Sequence, residues 1–293
     1  MKPCKKEEQL LDKTLEILSD SGTVEAYKYL LAQKEHLNDH SSQLYNFLYC
    51  LASSTGAKSE ALVWLKEAIV QKGYWYRPEV FEDEDLDLIR DSEDFLEYKK
   101  ISDERYYKAL ETANTICTWE KINGNELALI LHGNQQNMFF GRDYWCFLED
   151  EGYQIEYVQS KTIDSYNLYR WEDKGDVQLN KIVSAVPWEK YSHTALCGFS
   201  AGCNEILRAL VFAGVKCEKI ILVCPWIPAF DENLNDIIAV LRNVSIEIVC
   251  GEDDEDCLPY AKKLHKAATE SGLNCNLEVV KGCGHSYPQS CRK

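Results

Sequence analysis

The sequence has no apolar run of roughly 18 residues, the length a bilayer-spanning helix requires, so membrane insertion is not expected. It also lacks an apolar stretch at its start. Met1-Lys2-Pro3-Cys4-Lys5-Lys6-Glu7-Glu8 brings charge where an export signal needs hydrophobic residues, and a cytoplasmic location is the expectation. Positive charge is short: 32 Lys and Arg stand against 48 Asp and Glu, a net charge of −16. Nucleic acid and anionic membrane surfaces both call for the opposite balance, so neither is an expected partner. No two of the 13 cysteines are spaced C-x-x-C, so structural zinc and dithiol redox chemistry lose their usual signatures. The cysteines read instead as mostly buried thiols of a reducing compartment. Proline is scarce in the first third of the chain. Between Cys4 and residue 115 only Pro78 occurs, which leaves long helices uninterrupted.

What is present suits two domains: 293 residues, 45% hydrophobic and 27% charged. Up to residue 115 the pattern is helical. Leu10, Leu11, Thr14, Leu15 and Leu18 recur at three- and four-residue spacing and end at Ser21-Gly22. Further helices are expected over 24–37, 41–52 and 58–70. A Tyr-rich break follows at Gly73-Tyr74-Trp75-Tyr76-Arg77, then an acidic stretch from Glu79 to Asp87, then helix again through Phe95 to Ala113. Tyr45 and Leu48 on one helix, with Ala61, Leu65 and Ala68 on the next, give residues 41–72 a pattern that resembles a tetratricopeptide repeat. Tyr49 stands where that repeat has a small residue, and Gly73 where it has proline. A plain helical bundle is the alternative reading. Domain 1–115 would serve a protein or peptide partner, self-association, cover of the site mouth, or stability.

After residue 115 the period shortens. The stretches 116–122 and 127–131, joined by Asn123-Gly124-Asn125, read as a β-hairpin. Apolar strands follow at 153–158, 194–199, 220–224, 246–250 and 277–280. Helical patterns at 142–151, 177–185, 203–212 and 259–271 separate most of them. Strands alternating with helices mean a mostly parallel sheet with crossover connections. The expected architecture is therefore α/β over 116–293, preceded by an all-α, helical-repeat-like domain.

Gly198-Phe199-Ser200-Ala201-Gly202 closes the strand at 194–199 and opens the following helix. That is the setting of a nucleophile elbow: small residues let the backbone turn sharply while Ser200 lifts its hydroxyl above the sheet. An earlier strand runs into Leu131-His132-Gly133-Asn134-Gln135-Gln136-Asn137. Acyl transfer builds an oxyanion, which two backbone N–H groups can hold. Ala201 is the first candidate donor; Asn134, with Gln135 behind it, is the second. His132 reads as a brace of that loop rather than a reacting group.

These motifs resemble the α/β-hydrolase superfamily, with the likeness covering 116–293. The family order of nucleophile, acid and histidine points downstream of Ser200. The acid then falls in Gly251-Glu252-Asp253-Asp254-Glu255-Asp256, where family spacing favours Asp254 and leaves Asp256 and Asp253 as alternatives. His285 in Gly282-Cys283-Gly284-His285 takes the last position. His36 and His40, four apart on an expected helix, have no third metal ligand nearby.

The resemblance implies a serine esterase acting through an acyl-enzyme on a small acyl substrate, with no metal or organic cofactor. Tyr166–Trp171 and Pro225-Trp226-Ile227-Pro228 are candidate pocket walls, and Arg170 a candidate contact for an anionic substrate group. Small carboxylesterases and dienelactone-hydrolase-like enzymes are the nearest types. An acyltransferase with the same triad, or a catalytically silent scaffold, stay open as alternatives.

Overall fold

Two hydrophobic cores organise the chain, one rich in tyrosine and built by helices, the other aliphatic and built on a sheet. The computed structural model describes residues 5–172 and 175–288. Cys4 and Cys291 lie outside the described residues. The molecule divides into two units that do not split the chain at a single point. One holds the described residues up to Ala113 together with Ile163–Leu168; the other holds Asn114–Thr162 and the described residues from Tyr169 onward.

In the first unit, α1 (Lys5–Ser21) packs on α2 (Thr23–Lys34), and α3 (Ser42–Ser54) packs on α4 (Lys58–Lys66). Ser41 starts α3 by accepting the Leu44 N–H at 3.2 Å, which satisfies one of the first-turn donors. The spacing of Ala61, Leu65 and Ala68 places all three in the core. α4 loosens into a π-helical turn at Glu67–Gln71, and the acidic stretch forms two short 3-10 turns that still bury Phe81 and Leu86. Arg90 ties those turns together, donating to Phe81 O at 2.9 Å and Asp83 O at 2.7 Å. α5 (Glu93–Leu110) follows. His36 and His40 lie beyond the end of α2, not on one helix face, because the chain turns after Lys34.

Ile163–Leu168 is built into this unit by backbone pairing. Tyr166 N donates to Trp75 O at 2.8 Å, Arg77 N to Asp164 O at 3.1 Å, and Tyr76 bridges Ser165. Tyr74 and Tyr166 stack with centroids 4.9 Å apart.

The second unit is a seven-stranded sheet. Its strands are β1 (Ile116–Cys117), β2 (Glu126–Leu131), β3 (Tyr153–Gln159), β6 (His193–Phe199), β7 (Lys219–Val223), β8 (Ser245–Gly251) and β9 (Cys275–Val280), in the order β1-β3-β2-β6-β7-β8-β9. All neighbours are parallel except β1 with β3. A two-stranded ribbon of β4 (Thr162–Ser165) and β5 (Leu168–Arg170) leaves the end of β3. α8 (Val177–Ala185), α9 (Ala201–Phe212), α10 (Ala229–Glu232), α11 (Leu234–Val240) and α12 (Leu258–Glu270) fill the later connections, with α9 packed on β6 and α12 on β8 and β9.

Two expectations are corrected here. The hairpin at 116–131 does not form: β1 pairs antiparallel with β3, and β3 lies between β1 and β2. The segment after β1 instead keeps to β3, with Thr118 N donating to Tyr157 O at 3.0 Å and Asn123 N to Gln154 Oε1 at 2.8 Å. The Asn-Gly turn then carries the chain past β3. The helix expected over 142–151 is two short ones, α6 (Arg142–Trp145) and α7 (Phe147–Asp150), broken at Cys146.

Candidate active site

The parallel strands direct their carboxyl ends toward one edge, where an α/β sheet places its ligand-binding loops. Ser200 follows β6 at that edge with φ 51° and ψ −121°, a strained backbone for a residue with a side chain. Its N–H donates to Val223 O at 2.9 Å, and α9 begins at the next residue. Gly202 explains how the turn fits: a Cβ there would fall 2.5 Å from His132 O and 2.6 Å from Leu131 O. Only a glycine lets α9 start so close to the end of β2. As the first residue of α9, Ala201 has an N–H with no acceptor inside the helix.

His285 links Ser200 to an acid. Its Nε2 lies 3.0 Å from Ser200 Oγ, and its Nδ1 lies 2.8 Å from Asp254 Oδ2. Asp254 is 3% exposed, while Asp253 and Asp256 are exposed. Its second oxygen accepts the Cys257 N–H at 3.0 Å, and Cys250 Sγ lies 3.8 Å from the first. Burial works to raise its pKa, but the His285 hydrogen bond and charge, with the Cys257 N–H, outweigh this and hold the carboxyl below its usual range.

The histidine loop and the acid turn are joined by their backbones. Glu252 N donates to Val280 O at 2.8 Å and Asp253 N to Cys283 O at 3.0 Å. Gly251 lies against that loop so closely that a Cβ would come 2.1 Å from Cys283 O and 2.4 Å from Gly284 O. From the other side, Tyr287 stacks on Phe199, the residue before Ser200, at 4.2 Å. Ser200, Asp254 and His285 are thus held by mutually packed backbone.

His132 is fully buried, and burial pushes its pKa down to about 4. Its Nδ1 lies 2.6 Å from Gly133 O and its Nε2 lies 3.1 Å from the Ser160 N–H. A neutral ring with the proton on Nδ1 satisfies both. Trp171 stacks on it at 4.8 Å and donates its indole N–H to His132 O at 2.6 Å. Gly133 adjoins the serine: a Cβ added to it would lie 3.1 Å from Ser200 Cβ. Its N–H is taken by Gln136 Oε1 at 2.9 Å. The Asn134 side chain accepts the Trp171 N–H at 2.9 Å, and Gln135 adopts φ 57°. Of the candidate walls, Tyr166–Leu168 belong to the helical unit, whereas Trp171 braces the His132 loop.

Sequence reasoning passed over Gln136 and a buried carboxylate network one turn into α9. Glu205 accepts the Asp176 N–H at 3.0 Å, and Asp176 accepts the Gln178 and Leu179 N–H groups at the start of α8 and the Thr115 hydroxyl. Burial raises the Glu205 carboxyl to about 7. Asp176 carries a local signal as the N-cap of α8, but its pairings with Glu205 and Thr115 span 29 and 61 positions and leave no local pattern. All eleven cysteines among the described residues are thiols, seven of them buried. Among the described residues, the His, Cys and acid groups close enough to share a metal ion all include Asp254.

Sheet order, elbow and loop positions together are those of the α/β-hydrolase fold. Residues 6–110 match a protein family described as "A/B hydrolase-like, N-terminal domain". No curated protein matches the chain. Among solved structures it is similar to an uncharacterized protein from Bacillus cereus, at 27% identity over 96% of this chain and 94% of that one, with a TM-score of 0.52. That likeness spans both units. Weaker likenesses include acyl-protein thioesterase 2 of Zea mays (14% identity, 60% of this chain and 93% of that one, TM-score 0.43). A carboxylesterase of Bacillus cereus is similar to the same degree (16%, 63% and 92%, TM-score 0.43).

Proposed function

We propose that the protein is a serine hydrolase that cleaves carboxylic ester or related acyl bonds through an acyl-enzyme. The observation that carries this reading is the continuous chain from Ser200 Oγ through the His285 ring to Asp254, at 3.0 and 2.8 Å. In this reading His285 Nε2 takes the serine proton as Oγ attacks the substrate carbonyl. Asp254 keeps the Nδ1 proton in place and stabilises the imidazolium that forms. The Ala201 and Asn134 N–H groups receive the oxyanion, while Gln136 and His132 fix the loop that presents the second of them. His285 then returns its proton to the leaving group, and water releases the acyl chain by the same steps in reverse.

The test is labelling of the full chain with a fluorophosphonate probe, followed by turnover of esters of graded acyl length. Labelling of wild type and none of Ser200→Ala is the expected result. A folded wild type that takes no label would remove the hydrolase reading and favour a silent scaffold. Adding an alcohol or amine acceptor separates the two active outcomes, since an acyltransferase would form the acceptor product faster than the free acid.

A further inference from the structure

Asp254 is surrounded by sulfur on the side away from Ser200. Cys257 Sγ lies 3.5 Å from His285 Nδ1, and that same nitrogen lies 2.8 Å from Asp254 Oδ2. The donor atoms of Asp254, Cys257 and His285 all fall within 4.8 Å of one another. Carboxylate oxygen, thiolate sulfur and imidazole nitrogen form the donor set of zinc and of similar borderline-soft cations. A tetrahedral ion with bonds of about 2.0–2.3 Å sets its donors about 3.3–3.6 Å apart. The sulfur–nitrogen spacing already has that value, and the nitrogen–oxygen spacing would open by about half an ångström. His285 can supply that adjustment, being on a loop with its side chain 43% exposed. Asp254 and Cys257 are buried, so an ion would enter from the His285 side, the one exposed donor of the three. A second group, Cys224, Cys250 and Asp254, is buried throughout and offers no such entry.

We infer that Asp254, Cys257 and His285 form an inhibitory site for a divalent, zinc-like cation, set inside the proposed proton relay. The inhibition rests on the hydrolase reading above; the binding does not. At rest the Nδ1 proton faces Asp254 and the Nε2 lone pair faces Ser200. A cation bound at Nδ1 displaces that proton, which moves to Nε2, and the Cys257 thiol gives its own proton to solvent. One proton is released for each ion bound, and no electron is transferred. His285 then presents an N–H to Ser200 and has no lone pair to accept the serine proton. Turnover stops although Ser200 Oγ has not been touched.

The test uses the full chain stripped of metal by a chelator. Zinc chloride is titrated against turnover of an ester the wild type hydrolyses, with each variant normalised to its own metal-free rate. Reversal of the inhibition by EDTA, and a half-inhibitory concentration raised about tenfold or more in Cys257→Ala and in Cys257→Ser, are the expected results. Cys146→Ala, which removes the one exposed thiol among the described residues, leaves the half-inhibitory concentration unchanged. Equal zinc sensitivity of wild type and both Cys257 variants overturns the site, as does no inhibition at about 1 mM zinc, far above the affinity of a three-ligand protein site. A second readout needs no catalysis. Cobalt chloride added to Ser200→Ala should give a thiolate-to-cobalt charge-transfer band that is lost in Ser200→Ala/Cys257→Ala. No band, or a band that survives in the double variant, also overturns the site. A band that depends on Cys257 supports the site even if the metal-free wild type hydrolyses no ester, a result that would count against the hydrolase reading alone.

Discussion

The two units carry similar net negative charge and bury polar groups in opposite ways. With Asp164 counted in the helical unit, that unit has 15 basic and 24 acidic residues and the sheet unit 17 and 24, so charge barely distinguishes them. The helical unit buries tyrosine rings and ties off their hydroxyls: Tyr76 on Ser42 O at 2.8 Å, Tyr27 on Glu60 at 2.8 Å, Tyr74 on His40 O at 2.8 Å. Burial pushes those phenols up, away from physiological pH. The sheet unit instead gathers a strained serine, a depressed aspartate and a neutral histidine around the ends of its strands, with a raised glutamate one turn into α9. Perturbed groups of that kind collect where chemistry is done. The contrast separates a unit that ties off its buried tyrosine hydroxyls from one whose polar groups are poised.

The largest test of that contrast is Ser200→Ala, which should lower turnover on the order of 10⁴- to 10⁶-fold and leave the melting temperature nearly unchanged. Next is the choice of acid. Asp254→Asn should cost about 10⁴-fold in kcat by holding the wrong tautomer of His285, while Asp253→Asn and Asp256→Asn stay within about twofold. Equal losses in all three would mean that the exposed acids matter as much as the buried one. Gly251→Ala pushes the histidine loop outward and should lower kcat about 10- to 100-fold, with a smaller effect on KM.

Two smaller effects concern stability. The Glu205 contribution is fully present below about 4.5 and is lost as pH rises through about 7, because the folded carboxyl holds its proton longer than the unfolded one. His132 acts in the opposite sense: its contribution is present above 6.5 and is lost as pH falls to about 4. Glu205→Gln should therefore gain up to about 3 kcal/mol at pH 8 and lose stability more steeply below pH 6.5, read from denaturant unfolding at several pH values. The smallest is Tyr76→Phe, which should lower stability by about 1 kcal/mol and leave turnover unchanged, since it removes one hydrogen bond in the helical unit. A change in kcat there would break the division between the two units.

Local pattern carried much of the second unit. The alternation of strands and helices, the serine on its turn and the histidine after the last strand all sit in short segments whose residues announce their geometry. Family spacing favoured Asp254 but left Asp253 and Asp256 open; burial sets it apart from them, and burial is a property of the folded chain. The hairpin expectation failed for a related reason: an Asn-Gly turn marks a reversal but cannot say which strand lies alongside, and Ile116 pairs with Gln159, 43 positions on, once Tyr153–Gln159 is laid down between β1 and β2. Helical packing in the first unit was legible from periodicity. Its matching family is described by its place in hydrolase-like proteins rather than by a repeat.

The six residues Ile163–Leu168 have a consequence for how the molecule is made. Residues up to Ala113 leave the ribosome first, but Trp75, Tyr76 and Arg77 then lack the backbone partners that Asp164, Ser165 and Tyr166 provide. The helical unit can be completed only after β1, β2 and β3 have been synthesised, so the usual order of one domain finished before the next begins does not apply. Nascent chains arrested before residue 163 should remain protease-sensitive at the Tyr-rich break and gain protection once residue 168 has emerged.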